Sequence, residues 1–274
     1  MTMTNERPTS RPRPRLRTVE VKRLEQVSPR MMRVTLTGPD LDGFGPPGPG
    51  QHIKVFFPPR GQEVPLLPIM GAEGPQFPSD QPRPTSRTYT PRRWRPETTE
   101  LDIEIVLHGE GLGSDWAERA HAGSVLVIAG PGGRFRLNTE ADWYVLGADL
   151  VGVPAMSAII ETLPATARIL AVAEVADVAD ERSYAGKPLL NIRWLHGISS
   201  ESHSSSALER ALRELPIPSD GKGRAWIGCE SSTMHSIRHY LLNEAGLDRD
   251  VIHTQGYWKV GVVNHPDHDY GDDE

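Results

Sequence analysis

The side chains best suited to chemistry lie together in residues 87–92, Arg-Thr-Tyr-Thr-Pro-Arg. In an extended segment alternate side chains share a face, so Arg87 and Tyr89 point one way and Thr90 points the other. An arginine fork pairs with two pyrophosphate oxygens at once, and a tyrosine ring offers a flat face to an isoalloxazine. The pattern therefore predicts a flavin-nucleotide site, although the same residues in isolation also suit an edge strand that ends at Pro91.

A second segment, Gly-Leu-Gly-Ser at residues 111–114, opens a predicted helix. The unpaired N–H groups and the dipole at the start of a helix favour an anion such as a pyrophosphate. Gly111, Gly113 and Ser114 are therefore predicted to hold phosphate groups, with Arg87 as the countercharge. The alternative for the glycines is a plain turn into the helix.

The composition limits the class of protein. The 274 residues are enough for two ordinary domains, and a net charge of −6 with an isoelectric point near 5.9 does not suit a nucleic-acid-binding protein. The single cysteine, Cys229, excludes a disulfide framework and an iron–sulfur cluster held by the chain's own thiolates. Apolar runs are too short for a membrane span or a signal peptide, so we expect a cytoplasmic monomer with no membrane partner.

Residues 18–138 are predicted to form an antiparallel β-barrel. Short segments alternate apolar and polar residues, as half-buried strands do, and turns rich in Gly and Pro separate them. One short helix is predicted over residues 114–122, and residues 58–84 are predicted to be a long surface loop. The predicted strands cover residues 19–22, 32–37, 52–57, 101–107 and 124–129.

Residues 139–263 have a different pattern, in which strands alternate with helices. Such alternation predicts a doubly wound, mainly parallel sheet, so the whole chain combines a β-barrel with an α/β domain. The predicted strands cover residues 144–146, 168–175, 190–195, 225–227 and 251–258, and the predicted helices cover residues 154–163, 206–215 and 232–245.

The two ends of the chain have few apolar residues to bury. Residues 1–17 are rich in Pro and Arg and are predicted to be a disordered basic arm; the alternative is a nucleic-acid-binding role. Residues 264–274 are predicted to be an acidic, flexible tail. Its His265, Asp267 and His268 suit an adventitious metal ion better than a designed site.

Several motifs, taken in order, make the chain similar to one family. The chain resembles the siderophore-interacting proteins, FAD-containing ferric-siderophore reductases of the ferredoxin-reductase architecture, from about Thr18 to Gly261. Each motif alone is weak, whereas their order and spacing are specific. The matching segments are residues 27–38, 51–58, 87–92, 111–117, 130–133 and 256–261, together with His108, Asp149 and Pro154-Ala155.

The resemblance implies roles for individual residues. It implies an FAD-binding barrel in residues 18–138 and an NAD(P)H-binding-like domain in residues 139–263. A small basic cluster is expected to attract the negatively charged ferric siderophore. The implied cofactor contacts are Arg87, Tyr89, Thr90 near the flavin N5 edge, Arg92 and His108 at the ribityl–phosphate segment, Gly111, Gly113, Ser114, Asp149, and Tyr257 and Trp258 over the isoalloxazine; the implied substrate contacts are Lys54, Lys259 and Arg134.

The implied function is reduction of a ferric siderophore by FAD, with release of Fe(II). No catalytic acid or base and no resident metal are required, because the cofactor carries the chemistry. Electrons would come from NADPH, NADH or a ferredoxin, and Asp177, Asp180, Glu181 and Arg182 favour neither nucleotide over the other. The alternatives are an electron-transfer flavoprotein with a protein partner and a non-catalytic siderophore-binding module.

Three departures from the family and two further patterns affect these expectations. Leu112 stands where proline is usual, Leu150-Val151 replace a polar pair, and His196-Gly197 lie where an arginine is often found. The last two departures put the electron donor in doubt rather than the flavin. His235 and His239 have the spacing of a zinc pair but no evident third ligand. The serine-rich run 199–206 is predicted to be a loop that ends in a helix cap.

Overall fold

The computed structural model describes residues 15–71, 74–76, 82–109, 111–197, 206–263, 265–266 and 269–271. Seven strands of the first domain form one antiparallel sheet in the order β6-β3-β9-β1-β2-β8-β7. In chain order the elements are β1 (Leu16–Ser28), β2 (Met31–Thr37), β3 (His52–Phe57), β4 (Ile69–Gly71), β5 (Gly74–Gln76), β6 (Thr85–Tyr89), β7 (Arg93–Arg95), β8 (Glu100–Val106), α1 (Leu112–Ala117) and β9 (Val125–Gly132).

The antiparallel sheet encloses a single apolar core, as the alternating pattern predicts. Apolar side chains at every second position of the strands, such as Val19 and Val21 or Ile53 and Val55, are buried in it. Two details differ from expectation. Residues 58–84 contain the small hairpin β4–β5. Helix α1 is shorter than the predicted 114–122, because the N–H of Gly123 donates to the carbonyl of Val21 and ties the following residues to β1.

The second domain is a parallel five-stranded sheet in the order β12-β11-β10-β13-β14, so the predicted doubly wound fold is confirmed. Helix α2 packs on one face, and α3 and α4 pack on the other. The elements are β10 (Trp143–Asp149), α2 (Val153–Thr162), β11 (Arg168–Val175), β12 (Leu190–His196), α3 (Ala207–Arg213), β13 (Gly223–Glu230), α4 (Ser231–Asn243) and β14 (Ile252–Trp258). Short 3-10 helices cover Pro39–Leu41, Pro96–Thr98, Val178–Asp180 and Arg249–Val251.

The described residues at the two ends of the chain differ from expectation. Strand β1 begins at Leu16, and the guanidinium of Arg17 is buried, donates to the carbonyl of Gly130 and lies over the Phe44 ring. At the other end, the described part of the predicted tail is docked on the second domain. The carbonyl of Asp269 accepts from the N–H of Gly256 at 2.8 Å.

The polar face of β8 is buried, whereas the alternation predicted that it would face water. On this face, the carboxylates of Glu100 and Asp102 accept hydrogen bonds from Arg95. The Glu104 side chain has 0% exposure and takes part in ion pairs with Arg33. The buried acidic row is therefore neutralised by arginines from other strands, as buried charges require.

Charged side chains also join the two domains. Arg182 of the second domain contacts the Glu104 carboxylate at 2.7 Å, and Arg92 of the barrel makes a two-point contact with Glu161 on α2. Ser28 donates to buried Asp180 at 2.6 Å. These contacts fix the α/β domain against the outer face of β8.

In the described part of the chain, no helix has the length and apolar character needed to span a membrane.

Candidate functional site

The flavin motif lies on β6, and two of its side chains face the barrel interior. In register with the neighbouring strand β3, Tyr89 pairs with Ile53 and Arg87 pairs with Val55, both of which are core residues. Arg87 and Tyr89 therefore share one face, as predicted. On that face α1 passes so close that a β-carbon at Gly113 would lie 2.0 Å from the Tyr89 hydroxyl oxygen. The close approach of helix and tyrosine requires glycine at this position.

The loop before α1 is closed by local hydrogen bonds. Gly111 caps the helix with a φ of 98°, a conformation that favours glycine, and the His108 ring lies beside it. The Ser114 hydroxyl oxygen accepts from the N–H of His108 at 3.2 Å. Ser114 thus fastens the loop to the end of β8, and only its own hydroxyl proton is left to donate to a phosphate.

The structure separates the two arginines of the motif. Arg87 stays on the Tyr89 face, where its guanidinium donates to the carbonyl of Ser86 at 2.8 Å. Arg92 points to the domain interface, where Glu161 and Glu104 surround its largely buried guanidinium. It lines a cavity of about 580 Å³ between the barrel and α2. Arg92 thus makes an interdomain ion pair, and its contact with the ribityl–phosphate segment stays a prediction.

Thr90 brings the barrel motif to the second domain. Its buried hydroxyl is hydrogen-bonded to the Tyr257 side chain at the end of β14. Burial raises the pKa of Tyr257 and of Tyr89, so both phenols remain neutral hydrogen-bonding groups at physiological pH. Tyr257 also packs edge-on against Trp226. Thr90 and Tyr257, each predicted to contact the flavin, are therefore next to each other where the two domains meet.

Asp149 ends β10 at the same cleft. One carboxylate oxygen accepts from the N–H groups of Val151 and Gly152, each at 3.0 Å. The other accepts from the N–H of Glu230 at 2.9 Å and from the Trp258 indole N–H at 2.7 Å. Burial is the main cause that raises the pKa of Asp149 to about 6, against the four donors that lower it.

The three basic residues expected to contact substrate lie in different settings. Lys54 is exposed on β3 opposite Thr88, and Lys259 is exposed in a tight turn closed by the N–H of Val262. Arg134 lies over the Tyr270 ring at 3.9 Å from its centroid. The docked tail, which the sequence did not predict, therefore covers part of the Arg134 side chain.

Several other candidates are used in structural contacts. Asp180 and Arg182 hold the domain interface, and Glu181 contacts His196 at 2.7 Å. Of the two histidines with the spacing of a zinc pair, His235 contacts Asp269 and His239 contacts Asn243. Within the described ranges, no three His, Cys, Asp or Glu side chains are arranged to hold a metal ion. Residues 199–205 of the serine-rich run, and Asp267 and His268, lie outside the described residues.

Sequence reasoning missed the central position of Glu104. The available signal was the spacing of Glu100, Asp102 and Glu104, which puts three carboxylates on one face of one strand. Such a row requires nearby cations when it is buried, and the chain supplies Arg33, Arg92 and Arg182 from three distant segments. The alternation alone does not reveal which distant segments cover that face.

The residues of the barrel cleft fit an FAD molecule. Gly113 lets α1 lie against the Tyr89 hydroxyl, and the first-turn N–H groups of α1 have no partner within the helix. Arg87 supplies a positive charge on the Tyr89 face. The set provides an anion site, a countercharge and an aromatic face, which are the parts that a flavin dinucleotide needs.

Comparisons with known proteins agree with this geometry. Residues 20–135 match the family described as "Siderophore-interacting FAD-binding domain", and residues 141–261 match "Siderophore-interacting protein". The chain is 38% identical to the ferric vibriobactin reductase of Vibrio cholerae over 247 residues, which cover 89% of this chain and 90% of that one. It is 32% identical to the NADPH-dependent ferric-chelate reductase of Escherichia coli, over 89% of this chain and 93% of that one. A siderophore utilization protein from T. fusca superposes with a TM-score of 0.83 at 34% identity, over 93% of this chain and 97% of that one.

Proposed function

The chain belongs to the siderophore-interacting protein family, and from that membership we propose that it is an FAD-dependent ferric-siderophore reductase. The observation that carries the proposal is the contact between Thr90 and Tyr257. It joins the flavin motif of the barrel to the carboxyl ends of the parallel strands, where doubly wound domains bind their ligands. A flavin in the barrel would therefore meet an electron donor bound by the second domain.

The barrel residues hold and orient the cofactor. Arg87 neutralises the pyrophosphate, Gly111 and Gly113 let the backbone approach it, and the Tyr89 ring supports the flavin. Bound there, FAD would supply the redox chemistry, since a flavin can take two electrons as a hydride from NAD(P)H and give them singly to two ferric ions. Thr90 and Tyr257, both uncharged, form a polar edge at which a flavin nitrogen can be hydrogen-bonded.

The substrate site is proposed at the mouth of the same cleft. Lys54 and Lys259 are exposed and positively charged, and ferric siderophores with several deprotonated oxygens are negatively charged. Once reduced, Fe(II) is softer than Fe(III) and is held less tightly by hard oxygen ligands. Release of the metal therefore needs no acid or base from the chain.

An anaerobic spectroscopic experiment tests the proposal. Purified protein loaded with FAD should lose its flavin absorption on addition of NADPH or NADH and regain it as a ferric siderophore is consumed. A protein that cannot be loaded with FAD would contradict the proposal. Reduced flavin that ferric siderophore fails to reoxidise, but that an added redox protein reoxidises, would indicate an electron-transfer flavoprotein instead.

A parallel experiment identifies the donor. In the same anaerobic experiment, reduced ferredoxin replaces the nucleotide. The rate at which the flavin absorption is lost is then compared among NADPH, NADH and ferredoxin. We expect at least one nucleotide to act, because doubly wound domains bind ligands at the carboxyl ends of their strands, and Tyr257 near that end of β14 contacts Thr90. Bleaching by ferredoxin alone would contradict that expectation and leave the reductase proposal intact.

A further inference from the structure

Asp149 has no acceptor capacity left for a ligand. An ionised carboxylate offers about four acceptor positions, and four donors from this chain fill them. The donors include two N–H groups of the loop before α2, which would otherwise be available to a phosphate. A carboxylate in this position would also repel an anionic cofactor group. Asp149 is therefore unsuited to the cofactor contact that the family resemblance implied.

The same four bonds make Asp149 a junction of three strand ends. The residue ends β10, the N–H of Glu230 belongs to the end of β13, and the Trp258 indole belongs to the end of β14. A β-bulge leaves Tyr257 without an opposite residue in the pairing of β13 with β14 and sets Trp258 opposite Glu230. Bulges of this kind re-aim side chains, and here the indole N–H is aimed at the carboxylate that already holds Glu230.

Trp258 leads directly into the exposed turn that carries Lys259. Trp258 is 36% exposed, so burial alone does not fix its ring, and the 2.7 Å hydrogen bond to Asp149 ties the ring to the body of the domain. The next residue, Lys259, starts the turn that the Val262 N–H closes at 3.0 Å. An ordered indole therefore orders the base of this turn.

We propose that Asp149 is a positioning residue, which holds Trp258 and through it the Lys259 turn at the mouth of the flavin cleft, so that affinity for the ferric siderophore depends on it. The inference rests on the proposed function, because it assigns Lys259 to the substrate. The role assigned to Asp149 is therefore to support substrate binding and not to contact the cofactor. Loss of its hydrogen bond to Trp258 should therefore affect KM and leave FAD binding unchanged.

The groups around Asp149 make its hydrogen bond to Trp258 dependent on pH. Titratable groups lie near Asp149 on three strands: Glu174 on β11 is its register partner, and Cys229 on β13 and Tyr257 on β14 interact with its charge. Burial raises the pKa of Asp149 to about 6. As pH falls through this value the carboxyl gains a proton and one of the four donors loses its acceptor. The Trp258 bond should therefore weaken below about pH 6.

The experiment compares wild type with Asp149→Asn, Trp258→Phe, the double variant and Asp142→Asn. Asp142 is the matched control, because its carboxylate accepts from the N–H of Lys222 at the opposite end of β10. Asp149→Asn should raise KM for an anionic ferric siderophore about fivefold, as expected for the net contribution of one typical hydrogen bond, with the same FAD content per chain. Trp258→Phe and the double variant should show the same rise, since both residues act through one contact.

A second readout needs neither flavin nor substrate. The indole N–H resonance that disappears in Trp258→Phe should titrate with a midpoint near pH 6 in wild type and should not do so in Asp149→Asn. The inference would be overturned if the increases in KM added up in the double variant. It would also be overturned if Asp149→Asn lost FAD to the same extent as its KM rose. If Asp149→Asn does not fold, Trp258→Phe carries the same KM expectation. A wild type without turnover would refute the proposed function, whereas turnover with unchanged KM in Asp149→Asn would refute this inference alone.

Discussion

The domain interface and the flavin cleft are both built from polar residues, but they use them differently. At the interface the carboxylates of Glu104 and Glu161 each meet an arginine: Glu104 contacts Arg182, and Glu161 contacts Arg92. In the cleft the polar groups are mostly uncharged at neutral pH or single charges at the surface, such as Tyr89, Thr90 and Lys259. Glycines bring the backbone close there and leave no room for a side chain.

The difference distinguishes structural from ligand-binding groups. A buried ion that is fully paired within the protein cannot also pair with a ligand, because its former partner would then be an unpaired charge in a medium of low dielectric constant. Groups that face a glycine-lined surface retain capacity for a ligand. Residue type alone does not make this distinction, since Arg87 and Arg92 lie five positions apart in the same motif.

The largest expected effect comes from the interface. Glu104→Ala would leave Arg33, Arg92 and Arg182 without their shared carboxylate, and breaking a buried pair in this way typically costs about 3–5 kcal/mol. The measurement is chemical denaturation followed by tryptophan fluorescence. The matched control is Glu214→Ala, because Glu214 pairs with Arg193 on the surface with 63% exposure and should cost less than about 1 kcal/mol. Equal effects of the two variants would contradict the structural role of the interface.

An intermediate effect should separate the two arginines of the motif. Arg87→Ala should lower FAD affinity by about tenfold, the contribution of one charge-assisted contact to a phosphate, with little change in the free energy of unfolding of the apoprotein. Arg92→Ala should do the reverse, because Glu161 and buried Glu104 lose a partner. Titration of apoprotein with FAD and denaturation of the same samples measure both quantities. FAD affinity that falls equally in the two variants would contradict the assignment.

Local sequence patterns predicted the elements of the fold because those depend on neighbouring residues. The alternation in His52–Phe57 and the apolar run in Arg168–Val175 predicted β3 and β11 with the bounds observed. The shared face of Arg87 and Tyr89 follows from the two-residue period of a strand, and the register with Val55 and Ile53 agrees with it.

The partners of charged groups were not predicted, because they come from distant parts of the chain. Arg92 suits a pyrophosphate and a carboxylate equally well, and its partner Glu161 is 69 residues away. The tail was predicted to be flexible from its composition, yet the Ser231 hydroxyl and the Gly256 N–H hold Asp269. A local pattern contains no information about contacts at that separation.

The smallest expected effect concerns the exposed charges of the cleft. Lys54→Ala and Lys259→Ala should each raise KM for an anionic ferric siderophore about fivefold, since a surface charge contributes about 1 kcal/mol to attraction. Added salt should raise the wild-type KM more than that of the double variant, because screening removes only attraction that is present. Lys222→Ala is the control, because Lys222 is exposed at the opposite edge of the parallel sheet. An unchanged KM in the double variant would show that, unlike the paired charges of the interface, these two lysines have no partner in the reaction.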